Sequence, residues 1–467
     1  MKDKLPLPLW LMLWSAILGV FISKLFVNLV NVALPVIAGE FQVSPTRVSW
    51  VMLAYLLLST SLMLLSGKLE DRYGLRKVFL LGCLVFSLGA LLGGFAPGFY
   101  WLIPGVALQG IGSAMLVTAA FALIPRYMPP ERTPWAFGLL SACSALGVAL
   151  GSPLGGLIAG CFSWRWVFFF VIPLGLAAFI LARKTLPEKP ASASSGSPDW
   201  LGGALSLGFL ALLVFALSLG RELSWGSPLI LGSLLLSLVL GLIFFLVERA
   251  KPDPVFDFKL LKIPAFAFGS LASLFTMSFM AGSMFLLPFY LRDFRGISLQ
   301  HIGLILMIPS GIYVGILLLL SRYLNRFTSR WPCVIAMLGM GGSSLYFALT
   351  LAKGGLSETI VFLALYGVFL SFFIAPNNNM VMCSLPSERE GEGSGLFQTL
   401  NSLGLVAGVC IFQAAFTAFF PPELLDEGLA TIPRELLSRG FAQAYIWGGA
   451  VCFVSAGLSF LGVNRKN

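Results

Sequence analysis

Charge is what this sequence has least of. Only 11% of its 467 residues are charged, less than half the usual share in a soluble domain, and 58% are apolar. The mean hydropathy is +0.92. A soluble globular chain is excluded. So is a disordered one, which needs high charge and little apolar surface. His301 is the only histidine, so a histidine-ligated metal centre is not expected. The seven cysteines are an odd number without a CxxC spacing, which argues against a disulfide frame or a zinc site. With no intramembrane acid pair and no histidine dyad, an enzyme is not expected, and no cofactor is implied.

The sequence is rich in long apolar runs. They are continuous rather than alternating, which excludes a membrane β-barrel. A spanning helix needs roughly 20 apolar residues. Apolar length, breakers and charges place fourteen such helices, at 9–37, 48–66, 78–95, 101–124, 135–160, 166–182, 200–219, 228–247, 264–291, 302–320, 332–351, 359–384, 393–420 and 441–463. The first run is too long for a signal peptide and is read as an uncleaved helix. With the N-terminus in the cytoplasm, inner segments carry more than twice as many Lys and Arg as outer ones. Both termini are therefore expected inside. The net charge of +10 is topogenic on this reading, and no nucleic-acid partner is expected.

Residues 185–199 are rich in Pro, Ser and Ala and read as a cytoplasmic linker. An internal echo sets Gly67–Arg76 beside Ser321–Arg330, with Asp71-Arg72-Tyr73 facing Asn325-Arg326-Phe327. A second echo pairs Pro130-Glu131-Arg132 with Pro386-Ser387-Glu388-Arg389. Two repeats of six helices explain both echoes, as 1–184 and 263–467, with two helices inserted over 200–262. Chance likeness of short basic turns is the other explanation. A short surface helix is expected around 423–437, in the longest outer loop.

The segment Gly67-Lys68-Leu69-Glu70-Asp71-Arg72-Tyr73-Gly74-Leu75-Arg76-Lys77 resembles the signature loop of the major facilitator superfamily. Asn31-Val32-Ala33-Leu34-Pro35, Leu108-Gln109-Gly110-Ile111-Gly112, and Gly147, Gly151, Pro153, Gly155 and Gly156 resemble that superfamily's 14-helix drug:proton antiporter branch. Trp164-Arg165-Trp166 and Pro376-Asn377-Asn378-Asn379 add to the likeness. The resemblance implies an all-α integral membrane protein of the major facilitator fold, two six-helix bundles plus two inserted helices. It also implies alternating access, export of small amphipathic compounds, a bacterial inner membrane, and a conformational role for Gly67, Asp71, Arg72, Gly74, Arg76 and the helix 5 glycines with Pro153. The partners implied are a small-molecule cargo, the lipid bilayer and a possible periplasmic adaptor.

Several positions depart from the branch. Its helix 1 Asp is Phe26, with Asn28 in place of the following Thr. Its helix 4 Arg is Val106, its helix 6 Asn is Val171, and its helix 13 Arg is Asn401. All 20 carboxylates fall in loops or at helix ends. A proton relay or a dicationic cargo ordinarily needs an ionisable group within the membrane.

The one deep charge is Lys24, about 15 residues or roughly 22 Å into helix 1. A lysine at mid-bilayer costs about 2.5–3.5 kcal/mol on insertion scales. Lys24, Asn28, Asn31 and Pro35 share one helix face, expected to line a central cavity. Three readings of Lys24 are open: it binds an anionic or zwitterionic cargo, it carries the coupling proton, or it hydrogen-bonds carbonyls of a neighbouring helix. Gln109, Asn377, Asn378, Gln398 and Asn401 are further binding or coupling candidates. The alternative function is a facilitator or exporter of an anionic or neutral metabolite, siderophore or lipid without proton antiport.

Overall fold

The computed structural model describes residues 7–187, 200–220, 223–250, 258–324, 330–351, 355–385, 390–421, 424, 429 and 432–462. Among these residues there are helices and no strands. In lipid no water is available to the backbone, so each spanning segment must satisfy its own N–H and C=O groups, as a helix does.

Fourteen helices are long and apolar enough to cross a membrane. They are α1 (Leu7–Phe41), α2 (Pro45–Tyr73), α3 (Leu75–Gly94), α4 (Phe99–Tyr127), α5 (Thr133–Cys161), α6 (Arg165–Thr185) and α7 (Trp200–Leu219). The others are α8 (Pro228–Ala250), α9 (Pro264–Phe289), α10 (Leu299–Leu324), α11 (Trp331–Thr350), α12 (Leu356–Cys383), α13 (Glu390–Thr417) and α14 (Arg434–Leu461).

Three boundaries differ from those expected. The signature segment is not a loop: α2 continues through Tyr73, because nothing breaks it before Gly74. Gly74 has φ +91°, a conformation that suits glycine, and α3 starts at the next residue. Helix α14 begins at Arg434, directly after Pro433, so 434–437 of the expected surface helix form its first turn. Of 423–433, only 424, 429, 432 and 433 are among the described residues. Helix α9 ends in a π-helical turn, Tyr290–Phe294. The linker residues 188–199 and the second echo at 386–389 lie outside the described residues.

The chain folds into two compact units. The first holds residues 1–41, 50–210 and 298–303, and the second holds 42–49, 211–297 and 304–467. In the first, helices meet through glycine. A Cβ on Gly105 of α4 would stand 2.7 Å from Gly93 N of α3, and one on Gly82 would stand 2.9 Å from the Met115 Cβ. Close backbone approach of this kind replaces the hydrophobic drive that lipid removes. In the second unit, aromatic rings fill the space between α9, α11, α12, α13 and α14. Phe347 stacks on Phe362 at 4.6 Å, and Tyr445 meets Phe347 edge-on at 4.7 Å. Phe279 packs against both Tyr366 and Phe412.

Candidate transport site

Helix α1 carries Lys24 at its midpoint, and it is the only charged residue in the middle of any described span. The carboxylates within these spans, Glu40, Asp293, Glu358 and Glu435, all lie in end turns. Lys24 is half-buried. Its ammonium makes no hydrogen bond or ion pair among the described residues, so the bond to a neighbouring carbonyl that one reading required is not found there. Its backbone is fixed tightly. Asn28 Nδ2 donates to Lys24 O at 2.9 Å, and Tyr55 Oη lies 3.2 Å from Ser23 O and 2.8 Å from Ser113 Oγ. Asn28 is half-buried, whereas Asn31 and Pro35, further along the same face, are buried.

Phe26 faces elsewhere. It is fully buried, with its ring 5.5 Å from those of Tyr55 and Phe168 and 5.8 Å from that of Phe86. Two residues along a helix point roughly 200° apart. Lys24 therefore does not stand in for the acid that position 26 lacks. Val106 and Val171 are likewise fully buried.

The helix 5 glycines divide into two contact faces. Gly147, Gly151 and Gly155 lie against α1: a Cβ on Gly147 would be 2.8 Å from Phe21 O, and one on Gly155 would be 2.6 Å from Leu29 O. Gly151 abuts Asn28 and Leu25. Gly156 instead meets Leu299 and Gly303 at the start of α10, where a Cβ on Gly303 would be 3.0 Å from Pro153 Cα. Helix α5 thus presses on Phe21, Leu25, Asn28 and Leu29 of α1, at the edge of its polar face, with one side and on the first turn of α10 with the other.

Gln109 is fully buried where α4 meets α3, beside Gly89, and neither atom of its amide has a hydrogen-bond partner among the described residues. In the second unit, Asn377 is fully buried and donates to Gly269 O of α9 at 3.2 Å. Asn378 and Gln398 are exposed, and Asn401 is half-buried. The structure groups Lys24, Asn28 and Asn31 on one face of α1. Gln109 lies on another helix contact, and the Asn and Gln candidates of α12 and α13 belong to the other unit.

At the signature turn, Arg76 Nη2 donates to Arg183 O at 2.8 Å, in the last turn of α6. Helix C-termini present carbonyls without helical partners, and a cation there also meets the negative end of the helix dipole. Arg330 sits at the matching position of the internal echo, and its Nη1 donates to Phe460 O of α14 at 2.9 Å. The sixth and the fourteenth helix are thus capped by arginines at equivalent places in the two echoing turns. Arg72 is exposed and lies 5.6 Å from the Tyr73 ring. Gly67 lies inside α2, near Thr118. The Asp71 side chain is outside those described.

Gln413 is a further polar residue within an apolar run. It is buried in α13 and joins three helices. Ser49 Oγ donates to its Oε1 at 2.6 Å, and its Nε2 reaches Ser218 O of α7 at 3.3 Å. A polar residue in an apolar helix was the only available signal, and its partners are distant in sequence.

Among the described residues, fourteen apolar helices, matched arginine caps after two echoing turns and glycine-mediated helix contacts define a polytopic membrane protein. The Major Facilitator Superfamily pattern matches residues 16–409, and the chain belongs to that family of transporters. It is 26% identical over 445 residues to the riboflavin transporter RibZ of Clostridioides difficile (strain 630), covering 95% of each chain. It is 29% identical over 402 residues to the putative multidrug resistance protein MdtD of Escherichia coli O81 (strain ED1a), covering 85% of this chain and 84% of that one. Its fold is similar to that of a bacterial homologue of the human lysosomal transporter Spinster, solved inward-facing and occupied. That match has a TM-score of 0.68 at 17% identity and covers 98% and 97% of the two chains.

Proposed function

We propose that this transporter exports small amphipathic organic compounds across a bacterial inner membrane by alternating access, and that its cargo is anionic or uncharged rather than dicationic. The observation that carries the cargo class is Lys24, an unpaired ammonium in the middle of α1 with no carboxylate at the same depth in any described helix. A charge kept at such a cost is ordinarily a functional one. A dication would meet repulsion there and no counter-charge. The α5 glycine faces and the relatives named for multidrug resistance and riboflavin support a small organic cargo.

A second reading is a carrier for an anionic or neutral metabolite, siderophore or lipid that works without proton antiport. It is favoured by Phe26 and Val106, both fully buried where the antiporter branch has its acid and its base. The test is dye movement in energised vesicles with and without an imposed pH gradient. Ethidium serves as the cationic probe and carboxyfluorescein as the anionic one. The proposal expects carboxyfluorescein to move and ethidium to lag well behind. Gradient-dependent movement would make Lys24 the leading proton carrier, and gradient-independent movement would favour the second reading. Ethidium export that is unchanged in Lys24→Met would overturn the cargo class.

A further inference from the structure

The amide of Gln413 uses both of its ends. Its Oε1 accepts from Ser49 Oγ at 2.6 Å, and its Nε2 lies 3.3 Å from Ser218 O and 3.4 Å from Ser218 Oγ. Ser49, Gln413 and Ser218 are 0%, 1% and 6% exposed. They belong to α2, α13 and α7, and all three fall in the second unit. Helix α2 itself is divided, since its residues up to Ser49 group with the second unit and those from Trp50 with the first.

The two links of Gln413 differ in kind. Ser49 Oγ also lies 2.7 Å from Thr46 O, in its own helix. One hydroxyl proton therefore has two acceptors, so release from Gln413 leaves the hydroxyl satisfied and orphans only the Gln413 Oε1 acceptor, whereas loss of the α7 link orphans a donor and an acceptor together. The link to α7 has no such substitute. It reaches a carbonyl in the last turn of that helix, where the backbone runs out of helical donors. Leaving that carbonyl and the buried amide unpaired together is costly.

We propose that Gln413 is a positioning residue of the transport cycle: it binds α7 to α13 as one moving piece and lets α2 go through Ser49. The inserted helix α7 is on this account a working part of the end of the bundle opposite the signature turn. The inference rests on the alternating-access reading above.

Hydrogen exchange of the purified full chain in lipid nanodiscs tests it without any cargo. Gln413→Leu should speed exchange several-fold both at 44–50 and at 215–219. Ser49→Ala should do so only at 44–50. If Ser49→Ala loosens both segments, or Gln413→Leu loosens neither, the proposal is overturned.

A second experiment tethers cysteine pairs with a short, reducible bis-thiosulfonate reagent. Tethering Ser49→Cys to Gln413→Cys should cut carboxyfluorescein transport at least tenfold, with recovery on reduction. Tethering Ser218→Cys to Gln413→Cys should leave transport within twofold of the reduced form. Equal inhibition by both tethers, or the reverse order, would sink the idea. If the parent protein moves no probe, the transport reading fails, and the exchange pattern still decides this one.

Discussion

Glycine brings helices to backbone contact in both units, and the units differ in what else fills them. In the first, it joins α1 with α5 and α3 with α4. Among the described residues, the side chains of Lys24 and Gln109 there make no hydrogen bond or ion pair. In the second, it joins α9 with α13, where a Cβ on Gly404 would meet Leu274 O and one on Gly408 would meet Ser278 O. There, rings of Phe279, Phe347, Phe362, Phe412 and Tyr445 occupy the centre. Several of its hydroxyls are bonded: Ser344 Oγ donates to Tyr445 O at 2.6 Å, and Thr276 and Ser455 pair at 3.0 Å. The arginine caps, by contrast, are the same in both halves. The matched caps hold the ends of α6 and α14, and the glycine contact of α1 with α5 has a counterpart in that of α9 with α13. Buried polar atoms without a partner among the described residues occur in both units, those of Gln109 in the first and of Ser270, Thr359 and Ser459 in the second, while the mid-span charge Lys24 lies in the first.

Several changes would break or sharpen this contrast. The largest effect is expected from Phe26→Asp, which restores the acid of the antiporter branch. It would place an unpaired carboxylate among the rings of Tyr55, Phe86 and Phe168. Little folded protein should survive detergent size exclusion. If the variant folds normally, position 26 is wetter than its packing implies.

Lys24→Met should act in the opposite direction on stability. It removes a mid-membrane charge costing about 2.5–3.5 kcal/mol on insertion scales, so the thermal midpoint should rise while anionic-dye transport falls at least tenfold. A lower midpoint would indicate that Lys24 is structural. Gly155→Ala adds a Cβ within 2.6 Å of Leu29 O and should cost about 1–3 kcal/mol. Gly342→Ala in α11, with nothing within 4 Å, should be near neutral or slightly stabilising. Thermal denaturation of the pair measures how much the first unit depends on close contact.

Tyr445→Phe removes a long hydroxyl contact to Ser283 at 3.3 Å and should cost about 0.5–1.5 kcal/mol, as the rings remain. The smallest effect is expected from Arg76→Ala and Arg330→Ala, each about 0.3–1 kcal/mol as a helix C-terminal charge. Their near equality is the informative result. A large loss at one site and none at the other would mean that the two caps only look alike.

Much of this was legible without coordinates. Length and continuity of the apolar runs placed all fourteen helices, because a bilayer sets a minimum span and leaves the backbone one way to satisfy itself. Lys24 was visible for the same reason, as a charge where water is absent. The echo of Arg76 and Arg330 was visible as a spacing, but its purpose was not, because α6 and α14 end 107 and 130 residues away from them. Gly74 was legible as a turn, yet the continuous helix before it was not, since charge alone does not break a helix.

The amino-acid sequence by itself determined the spans, the family likeness and the depth of Lys24. All of these follow from local composition and a helical period. The tertiary structure alone decided which neighbour each face meets. It sent Phe26 into an aromatic cluster and away from Lys24, turned Gly151 and Gly155 to α1 and Gly156 to α10, and joined Gln413 to Ser49 and Ser218. The physical reason is that helix periodicity fixes a direction around an axis, whereas contacts across hundreds of residues depend on how whole helices pack.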